Sequence, residues 1–291
     1  MIGNQGKKEL KDLHDEIDNN VKQALAEDIG TGDLTASLIP GDKPLSASVI
    51  SREDAVLCGV QWFEACFLTL APDTTINWFA GDGDFVHAGQ KLCEIKGNAR
   101  ALLTAERSAL NFLQLLSAVA TQTKRYVDAI AGTKAVIVDT RKTLPGLRIA
   151  QKYAVKCGGG VNHRLGLYDG ILIKENHIMA AGGIKSALIK AKEIVPPNVF
   201  IQIEVESLQE LQEALIAGAN MVLLDNFTLD QLRDAVALIR QQTVEQVILE
   251  ASGNVTLQTV RQVAETGVDR ISVGSLTKYI KAVDLSMRFV S

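Results

Sequence analysis

Residues 199–225, VFIQIEVESLQELQEALIAGANMVLLD, place a helical segment between two apolar runs. The runs VFIQIEVE and MVLLD are short and aliphatic, whereas the segment between them carries apolar residues at helical spacing. Strands that are almost continuously apolar and are separated by helices are typical of parallel sheets buried on both faces. The stretch therefore predicts an α/β fold.

The same alternation extends from residue 134 to residue 274. Its apolar runs are AVIVD (135–139), GILIK (170–174), VFIQIEVE (199–206), MVLLD (221–225), VILEA (247–251) and RISVG (270–274). Parallel strands in this number would close into a barrel smaller than the usual eightfold one. A doubly wound open sheet stays as an alternative, because periodicity alone does not distinguish the two architectures.

The residues before 134 show a different pattern. Residues 8–27 carry apolar residues at helical spacing and predict an amphipathic helix. Shorter β-type segments follow at SASVISR (46–52), DAVLCG (54–59) and TINWFA (75–80), and residues 81–99 predict a hairpin in a small sheet. A second helix is expected over residues 104–131, with Arg107 near its start.

Polar or small residues recur where the predicted parallel strands end. They are Asp139, Lys174, Glu204, Asp225, Glu250 and Gly274. In parallel α/β folds the carboxyl ends of the strands meet at one edge, and ligands bind there. A single polar residue at a strand end is usually a helix cap, but the recurrence of such residues at six strand ends predicts a ligand-binding site.

Positive charge is concentrated in residues 139–177, DTRKTLPGLRIAQKYAVKCGGGVNHRLGLYDGILIKENH. No acidic residue occurs between Thr140 and Tyr168, a span that carries three arginines and three lysines. The pattern predicts a pocket for a small, multiply anionic ligand. The alternative is a helix with a solvated basic face. Arg141, Lys142 and Lys174 favour the pocket, because they follow apolar strand runs.

Two short segments after the last strands are rich in small residues. Ser252, Gly253 and Asn254 form the first, and VGSLT at residues 273–277 contains Gly274 and Ser275. Small residues let backbone N–H groups approach an anion at a helix N-terminus, so both segments are candidate phosphate-binding loops.

The composition excludes several classes of protein. The chain has 30 basic and 34 acidic residues, so no general basic field favours nucleic acid. The cysteines lack metal-site spacing and are expected to be buried free thiols. The N-terminal stretch lacks the apolar segment of a signal peptide, and no apolar run is long enough to span a membrane. We therefore expect a cytoplasmic protein that binds neither nucleic acid nor a membrane.

Eight segments of the sequence resemble those of a known family. They are EDIGTGDLT (27–35), TAERSALNFLQLLS (104–117), DTRKTLPGLR (139–148), KYAVKCGGGVNHRLGLYDGILIKENH (152–177), EVE (204–206), LLDNF (223–227), EASGNV (250–255) and ISVGSLT (271–277). The chain resembles, almost end to end, the nicotinate-nucleotide pyrophosphorylases, also called quinolinate phosphoribosyltransferases (decarboxylating). The resemblance implies an N-terminal α/β sandwich domain over residues 1–116, joined by the tail 278–291. It also implies an incomplete α/β barrel of six to seven strands over residues 117–277.

The resemblance also implies an activity and the residues that serve it. Quinolinate and phosphoribosyl diphosphate would give nicotinate mononucleotide, pyrophosphate and CO2 in NAD biosynthesis. Arg141 and Arg164, with Arg107 from a partner subunit, would hold the quinolinate carboxylates. The other substrate-binding and catalytic positions that it implies are Thr140, Lys142, His163, Lys174, Glu204, Asp225, Ser252, Gly253, Asn254, Gly274 and Ser275.

Magnesium and a second subunit are further implications of the resemblance. Glu204 and Asp225 would face the ribose hydroxyls and the Mg²⁺ that accompanies the diphosphate, directly or indirectly. Lys142, His163 and Lys174 would lie at the junction of the two substrates, and Lys142, Lys174, Glu204 and Asp225 would be the catalytic residues. A homodimer, or a higher oligomer, would share its active sites between subunits.

Three other functions stay open at this point. A lyase could use Lys142 or Lys174 as a Schiff-base nucleophile on a barrel strand. A related phosphoribosyltransferase could act on another pyridine carboxylate, such as nicotinate, although several arginines favour a dicarboxylate. A sensor could bind phosphoribosyl diphosphate without turnover, and Glu204 with Asp225 argues against that alternative.

Overall fold

The computed structural model describes residues 4–41, 43–241 and 247–290, which divide into two compact units. Unit 1 comprises Met1–Gln122, Thr143–Gly159 and Thr277–Ser291, and unit 2 comprises Thr123–Lys142 and Gly160–Leu276. The domain boundaries predicted from the sequence stay predictions. None of the described helices is long and apolar enough to cross a membrane.

Unit 1 combines helices with a four-stranded sheet. Its helices are α1 (Asn4–Ile29), α2 (Val60–Leu70), the first part of α3 (Ala99–Ala129) and α4 (Arg148–Cys157), with a short 3-10 turn at Ala36–Leu38. The predicted first helix is confirmed, because Ile17, Val21 and Leu25 are buried at intervals of one helical turn.

The sheet of unit 1 is antiparallel. It contains β1 (Pro44–Ser51), β3 (Thr75–Trp78), β5 (Lys91–Asn98) and β12 (Leu285–Val290) in the order β12-β1-β5-β3. A separate pair is formed by β2 (Ala55–Val56) and β4 (Phe85–Val86). The hairpin predicted over residues 81–99 is wrong, because β4 pairs with β2 while β5 already has a partner strand on each side.

Unit 2 is built around six parallel strands. They are β6 (Val136–Val138), β7 (Gly170–Ile173), β8 (Phe200–Val205), β9 (Met221–Asp225), β10 (Ile248–Ser252) and β11 (Arg270–Ser272). Its helices are the last part of α3, α5 (Glu175–Ala181), α6 (Ile184–Ile194), α7 (Leu208–Ile216), α8 (Leu229–Gln241) and α9 (Val260–Glu265). The short α10 (Ser275–Lys278) begins in unit 2 and ends in unit 1. Apolar side chains such as Leu211 and Val222 are fully buried.

The strand order is that of an incomplete barrel. The hydrogen-bonded order is β6-β11-β10-β9-β8-β7, so strands follow each other around a ring that closes between β11 and β6. A doubly wound sheet would reverse its order at a switch point, and this sheet does not. The ring is open between β6 and β7, where Val161 forms a single parallel bridge to Val138 on β6. The predicted α/β barrel is confirmed.

Candidate active site

A cavity of about 260 Å³ lies in unit 2 at the carboxyl ends of the parallel strands. Its lining residues are Thr140, Arg141, Lys142, His163, Arg164, Leu172, Lys174, Glu204, Leu223, Glu250, Ser252 and Ser272. The size suits a small substrate, because pockets for drug-sized ligands have roughly 300–1,000 Å³. The structure thus brings together most of the residues predicted from the sequence.

Four lining residues that the sequence analysis did not assign to substrate binding or catalysis follow a simple rule. Leu172, Leu223 and Ser272 each stand two positions before a predicted strand-end residue, and Glu250 stands two positions before Ser252. Residues two apart on a strand share one face. The barrel interior therefore supplies a second layer beneath the predicted one, and the period-two rule would have found it from the sequence. Glu250 is accordingly not at a strand end as predicted but in the middle of β10.

Arg141 and Arg164 bring two positive charges close together. The Arg164 side chain is buried, and its guanidinium donates to the Gly170 carbonyl oxygen at 2.9 Å. Burial lowers the pKa of the Arg164 guanidinium from its usual value, and the charge of Arg141 lowers it further. Arg141 is exposed and makes no side-chain hydrogen bond or ion pair with any residue that the structure describes. An anionic ligand would offset the repulsion between these groups.

His163 is held in one tautomer by its neighbours. Its Nδ1 accepts a hydrogen bond from the Arg164 backbone N–H at 2.7 Å, so the ring proton lies on Nε2. Nε2 then donates to Gln202 Oε1 at 2.8 Å and lies 3.7 Å from a carboxylate oxygen of Glu250. The neutral imidazole is fixed in orientation and forms a rigid part of the cavity lining.

Two buried carboxylates hold this part of the barrel in place. Asp139, fully buried, accepts from the His163 backbone N–H at 2.8 Å and from Asn162 Nδ2 at 2.6 Å. Glu250, also fully buried, accepts from Arg270 Nε at 2.9 Å and from Ser272 Oγ at 2.7 Å. These hydrogen bonds make Asp139 a structural residue rather than a ligand.

The opposite sign of charge gathers at the ends of β8 and β9. Lys174 Nζ lies 2.7 Å from Glu204 Oε2. The negative charge of Glu175 raises the pKa of the Glu206 carboxyl, and Asp225 and Glu204 add to the effect. Carboxylate oxygens are the ligands that Mg²⁺ prefers in proteins, so these residues could hold such an ion. Asp225 is the last residue of β9 and is not among those that line the cavity.

The first predicted phosphate-binding loop has a constrained backbone. Gly253 (φ 105°) and Asn254 (φ 41°) are both in the left-handed region. A Cβ on Gly253 would clash with Asn226 Oδ1, so glycine is favoured here by space as well as by backbone conformation. The prediction that this loop lies at a helix N-terminus is wrong, because α9 begins only at Val260. The loop is joined to its neighbour by a hydrogen bond from the Asn226 N–H to the Ser252 carbonyl oxygen.

The second predicted loop directly precedes a helix. Ser275 is the first residue of α10, and its hydroxyl lies 3.3 Å from that of Tyr126. A Cβ on Gly274 would stand 3.3 Å from Lys142 Cδ and 3.6 Å from Thr140 Oγ1. The loop after β11 therefore lies against the basic loop after β6. Neither Gly274 nor Ser275 lines the 260 Å³ cavity.

Unit 1 contains two other cavities. The larger, about 890 Å³, has only exposed charges in its lining, at Lys43, Asp73 and Lys96. The other, about 290 Å³, includes the exposed Arg107 of α3 with Glu27 of α1. The structure thus places Arg107 in a different unit from the other predicted site residues. We take the cavity of unit 2 as the candidate active site, since buried charges converge only there among these three cavities.

Comparison with known proteins agrees with this geometry. Residues 33–117 and 119–288 match the N-terminal and C-terminal domains of the family described as quinolinate phosphoribosyl transferase. The chain belongs to the quinolinate phosphoribosyl transferase family. Among its relatives, a probable nicotinate-nucleotide pyrophosphorylase (carboxylating) of Bacillus subtilis is 41% identical over 90% of this chain and 89% of its own. The chloroplastic nicotinate-nucleotide pyrophosphorylase (carboxylating) of Arabidopsis thaliana is 42% identical over 92% of this chain and 81% of its own.

A solved structure of this family has the same fold. The nicotinate-nucleotide pyrophosphorylase of Francisella tularensis superposes with a TM-score of 0.90 at 46% identity, covering 95% of this chain and 96% of the other. The family membership and the incomplete barrel that the sequence motifs predicted are both confirmed.

The Gly253 backbone yields a stability prediction. Gly253→Ala should lower the free energy of unfolding by about 1–3 kcal/mol for the left-handed backbone, with a further loss of about 1–3 kcal/mol for the clash with Asn226. Gly132→Ala is the matched control, because Gly132 has φ 81° and no heavy atom within 4 Å of the position that an added methyl group would take. Urea unfolding of both variants measures the difference. Equal losses would mean that Asn226 moves aside freely.

Proposed function

We propose that this chain catalyses the transfer of a phosphoribosyl group from phosphoribosyl diphosphate to quinolinate, with decarboxylation. The products are nicotinate mononucleotide, pyrophosphate and CO2, a step of de novo NAD biosynthesis. The observation that carries the proposal is the adjacent pair Arg141 and Arg164 beside the ion pair Lys174–Glu204 in one small cavity. The relatives named for this reaction at about 40% identity support it.

The arginine pair suits a small dicarboxylate. Each guanidinium is planar and can bind a carboxylate through two parallel hydrogen bonds. A dicarboxylate brings two negative charges, which would offset the repulsion between Arg141 and Arg164. Nicotinate, with one carboxylate, would leave part of that repulsion in place. Quinolinate is therefore the better fit of the two pyridine acids.

The reaction needs positioning and charge stabilisation more than proton transfer. Pyrophosphate leaves ribose C1 with the bonding electrons, and the electron-poor centre that remains is attacked by the pyridine nitrogen. Lys142 and Lys174 would stabilise the charge on the leaving diphosphate, and Glu204 would stabilise positive charge on the ribose. His163, whose Nε2 proton is held by Gln202, is placed as a fixed dipole rather than a proton carrier.

Decarboxylation follows from the bond that has just formed. The pyridinium nitrogen is positive, so it accepts the electron pair released when the neighbouring carboxylate departs as CO2. A proton from solvent then replaces the carboxylate on the ring. Because the Arg164 side chain is buried, water screens its charge less, and its attraction for the remaining carboxylate would be stronger.

Magnesium is the proposed cofactor. Glu204 and Asp225 would hold it, directly or through the diphosphate of the substrate. The 5′-phosphate would be bound by Ser252, Gly253, Asn254, Gly274 and Ser275. When bound, the ion supplies positive charge to the leaving diphosphate. Glu175 and burial are the main causes of the raised pKa of the Glu206 carboxyl, and Asp225 and Glu204 contribute to it, so several carboxylates lie near one another there.

A homodimer with shared active sites is the proposed assembly. Arg107 is exposed on α3 and belongs to unit 1, whereas the cavity belongs to unit 2. A two-fold dimer can present the same arginine of each subunit to the cavity of the other, which completes both sites at once. The cytoplasm is the proposed compartment, since all four cysteines are free, as is usual where thiols stay reduced.

The Schiff-base alternative is disfavoured by the contacts of its nucleophile. Lys174 Nζ lies 2.7 Å from Glu204 Oε2, so a carboxylate is its immediate neighbour. A nucleophilic lysine has to lose its proton, for which an apolar or cation-rich setting is required.

The first test is the activity itself. Purified protein with quinolinate, phosphoribosyl diphosphate and Mg²⁺ should release CO2 and form nicotinate mononucleotide, identified by mass. Nicotinate in place of quinolinate should give no more than a small fraction of that rate. Absence of labelled CO2 from carboxyl-labelled quinolinate would overturn the assignment.

Removing one arginine should weaken quinolinate binding selectively. Arg141→Ala should raise the KM for quinolinate well over tenfold, since a charge-assisted contact to a desolvated carboxylate contributes about 2–5 kcal/mol. The KM for phosphoribosyl diphosphate should change much less. Lys156→Ala, at an exposed position of the same basic stretch, should change neither. Equal effects of Arg141→Ala on both substrates would show that this arginine does not bind quinolinate specifically.

Removing the charge of Glu204 or Asp225 should affect phosphoribosyl diphosphate rather than quinolinate. Glu204→Gln and Asp225→Asn should weaken Mg²⁺-dependent binding of phosphoribosyl diphosphate and reduce kcat. Quinolinate binding measured by calorimetry without the second substrate should stay close to that of the wild type. Glu193→Gln, at an exposed position on α6, is the control. Unchanged Mg²⁺ dependence in both variants would remove these carboxylates from the metal's surroundings.

Subunit mixing tests the shared site. Arg107→Ala and Lys142→Ala homodimers should each be nearly inactive. In a mixed dimer one of the two sites contains both wild-type residues, so statistical exchange should restore roughly a quarter of the wild-type sites. Mixed dimers that are verified by mass and stay inactive would show that Arg107 serves its own subunit or no site.

A further inference from the structure

Two cysteines and an aspartate converge in unit 1, and none of the three has been given a role above. One ligand atom each of Cys58, Asp82 and Cys157 lies within 4.8 Å of the other two. Cys58 is fully buried just before α2, Asp82 lies in the turn between β3 and β4, and Cys157 ends α4. Three separate segments of chain therefore contribute one metal-binding type of side chain each.

The three side chains are held where they meet. Asp82 Oδ1 accepts from the backbone N–H groups of Gly59 and Val60 at 2.8 and 3.0 Å. Its Oδ2 accepts from the Tyr153 hydroxyl at 2.8 Å. The Cys58 backbone is fixed as well, because its N–H donates to Ser117 Oγ at 2.9 Å. A site built in this way needs little reorganisation when a ligand binds.

The cluster has negative charge but no positive partner. Asp82 makes no ion pair with a lysine, arginine or histidine among the residues that the structure describes. Two sulfur atoms and a carboxylate oxygen thus share a partly buried space, and a bound cation would offset the charge of the carboxylate.

We propose that Cys58, Asp82 and Cys157 form a binding site for a thiophilic divalent cation of the Zn²⁺ class. The two sulfurs and one Asp82 oxygen are the protein ligands, and water takes the fourth position. Each thiol that is still protonated releases its proton to solvent as the metal–sulfur bond forms. A donor set of two sulfurs and one oxygen is suited to Zn²⁺ and poorly suited to Mg²⁺ or Ca²⁺.

The distances are compatible with this assignment. Bonds of roughly 2.3 Å to sulfur and 2.0–2.2 Å to oxygen in a tetrahedral site hold the ligand atoms roughly 3.4–3.8 Å apart. Ligand atoms that already lie within 4.8 Å of one another need side-chain shifts of about 1 Å to reach that geometry. A disulfide between Cys58 and Cys157 would use the sulfurs alone and leave the Asp82 charge without a partner.

Direct metal binding is the test. Full-length protein is reduced, stripped with a chelator and titrated with Zn²⁺ against a chromophoric competitor. We expect one equivalent per chain, and substitution with Co²⁺ should give a thiolate-to-metal charge-transfer band. Zn²⁺ should also raise the Tm of the wild type, because it binds the folded state.

Three variants separate the ligands from their surroundings. Cys157→Ser and Asp82→Asn should lower Zn²⁺ affinity by more than about 100-fold, beyond the roughly 10–100-fold that loss of an outer hydrogen bond causes. Tyr153→Phe removes only the hydroxyl that orients Asp82, so it should fall within that 10–100-fold range. Cys93→Ala is the matched control, because Cys93 is a buried free thiol outside the cluster, and it should bind like the wild type.

The Tm and the Zn²⁺ titration together either support or overturn the proposed site. The Tm of metal-free Cys157→Ser reports whether the variant folds, and a folded variant that lacks the Zn²⁺-dependent rise supports the proposal. Reduced wild type that fails to bind one equivalent would overturn it, whatever disulfide the protein forms without reductant. Equal Zn²⁺ affinity in the wild type and Cys157→Ser would overturn it as well.

Discussion

Repulsion between two guanidinium groups is the constraint on which the candidate site depends. Arg141 and Arg164 are close enough for one charge to lower the pKa of the other, and Arg164 is also buried. Such a pair is unfavourable without a ligand, so the surrounding framework has to hold it in place. The buried Asp139 contributes to this by anchoring the segment that carries Arg164, and a multiply anionic ligand would offset the remaining repulsion.

The framework acts through the backbone as much as through side chains. Asp139 accepts a hydrogen bond from the backbone N–H of His163, which directly precedes Arg164. The imidazole of His163 in turn is fixed by Gln202 on β8, two positions before Glu204. A chain of hydrogen bonds therefore connects the loop that carries one arginine with the strand that carries a candidate metal ligand. Candidate residues for both substrates are thus linked by one hydrogen-bonded network.

The strands and most of the cavity lining could be predicted from the sequence. Apolar runs are local features of the chain, and the residues that follow each run mark the carboxyl end of a strand, where ligands bind. The sequence was insufficient where pairing is not local. The predicted hairpin failed since β5 finds partners in β1 and β3. The meeting of Cys58 with Cys157 depends on how distant segments pack, and no spacing in the sequence indicates it. Gln202 could have been predicted from the sequence as a residue near the site, because it shares a strand face with Glu204.

The basic and acidic residues of the candidate site differ in their position relative to the gap between β6 and β7. Arg141 follows β6 and Arg164 precedes β7, so both arginines lie beside the open edge where these strands do not pair. Glu204 lies one residue before the end of β8 and Asp225 ends β9, and each of these strands has a neighbour on both sides. The cationic half of the site thus borders the gap in the barrel, and the acidic half lies on the continuous part of the sheet.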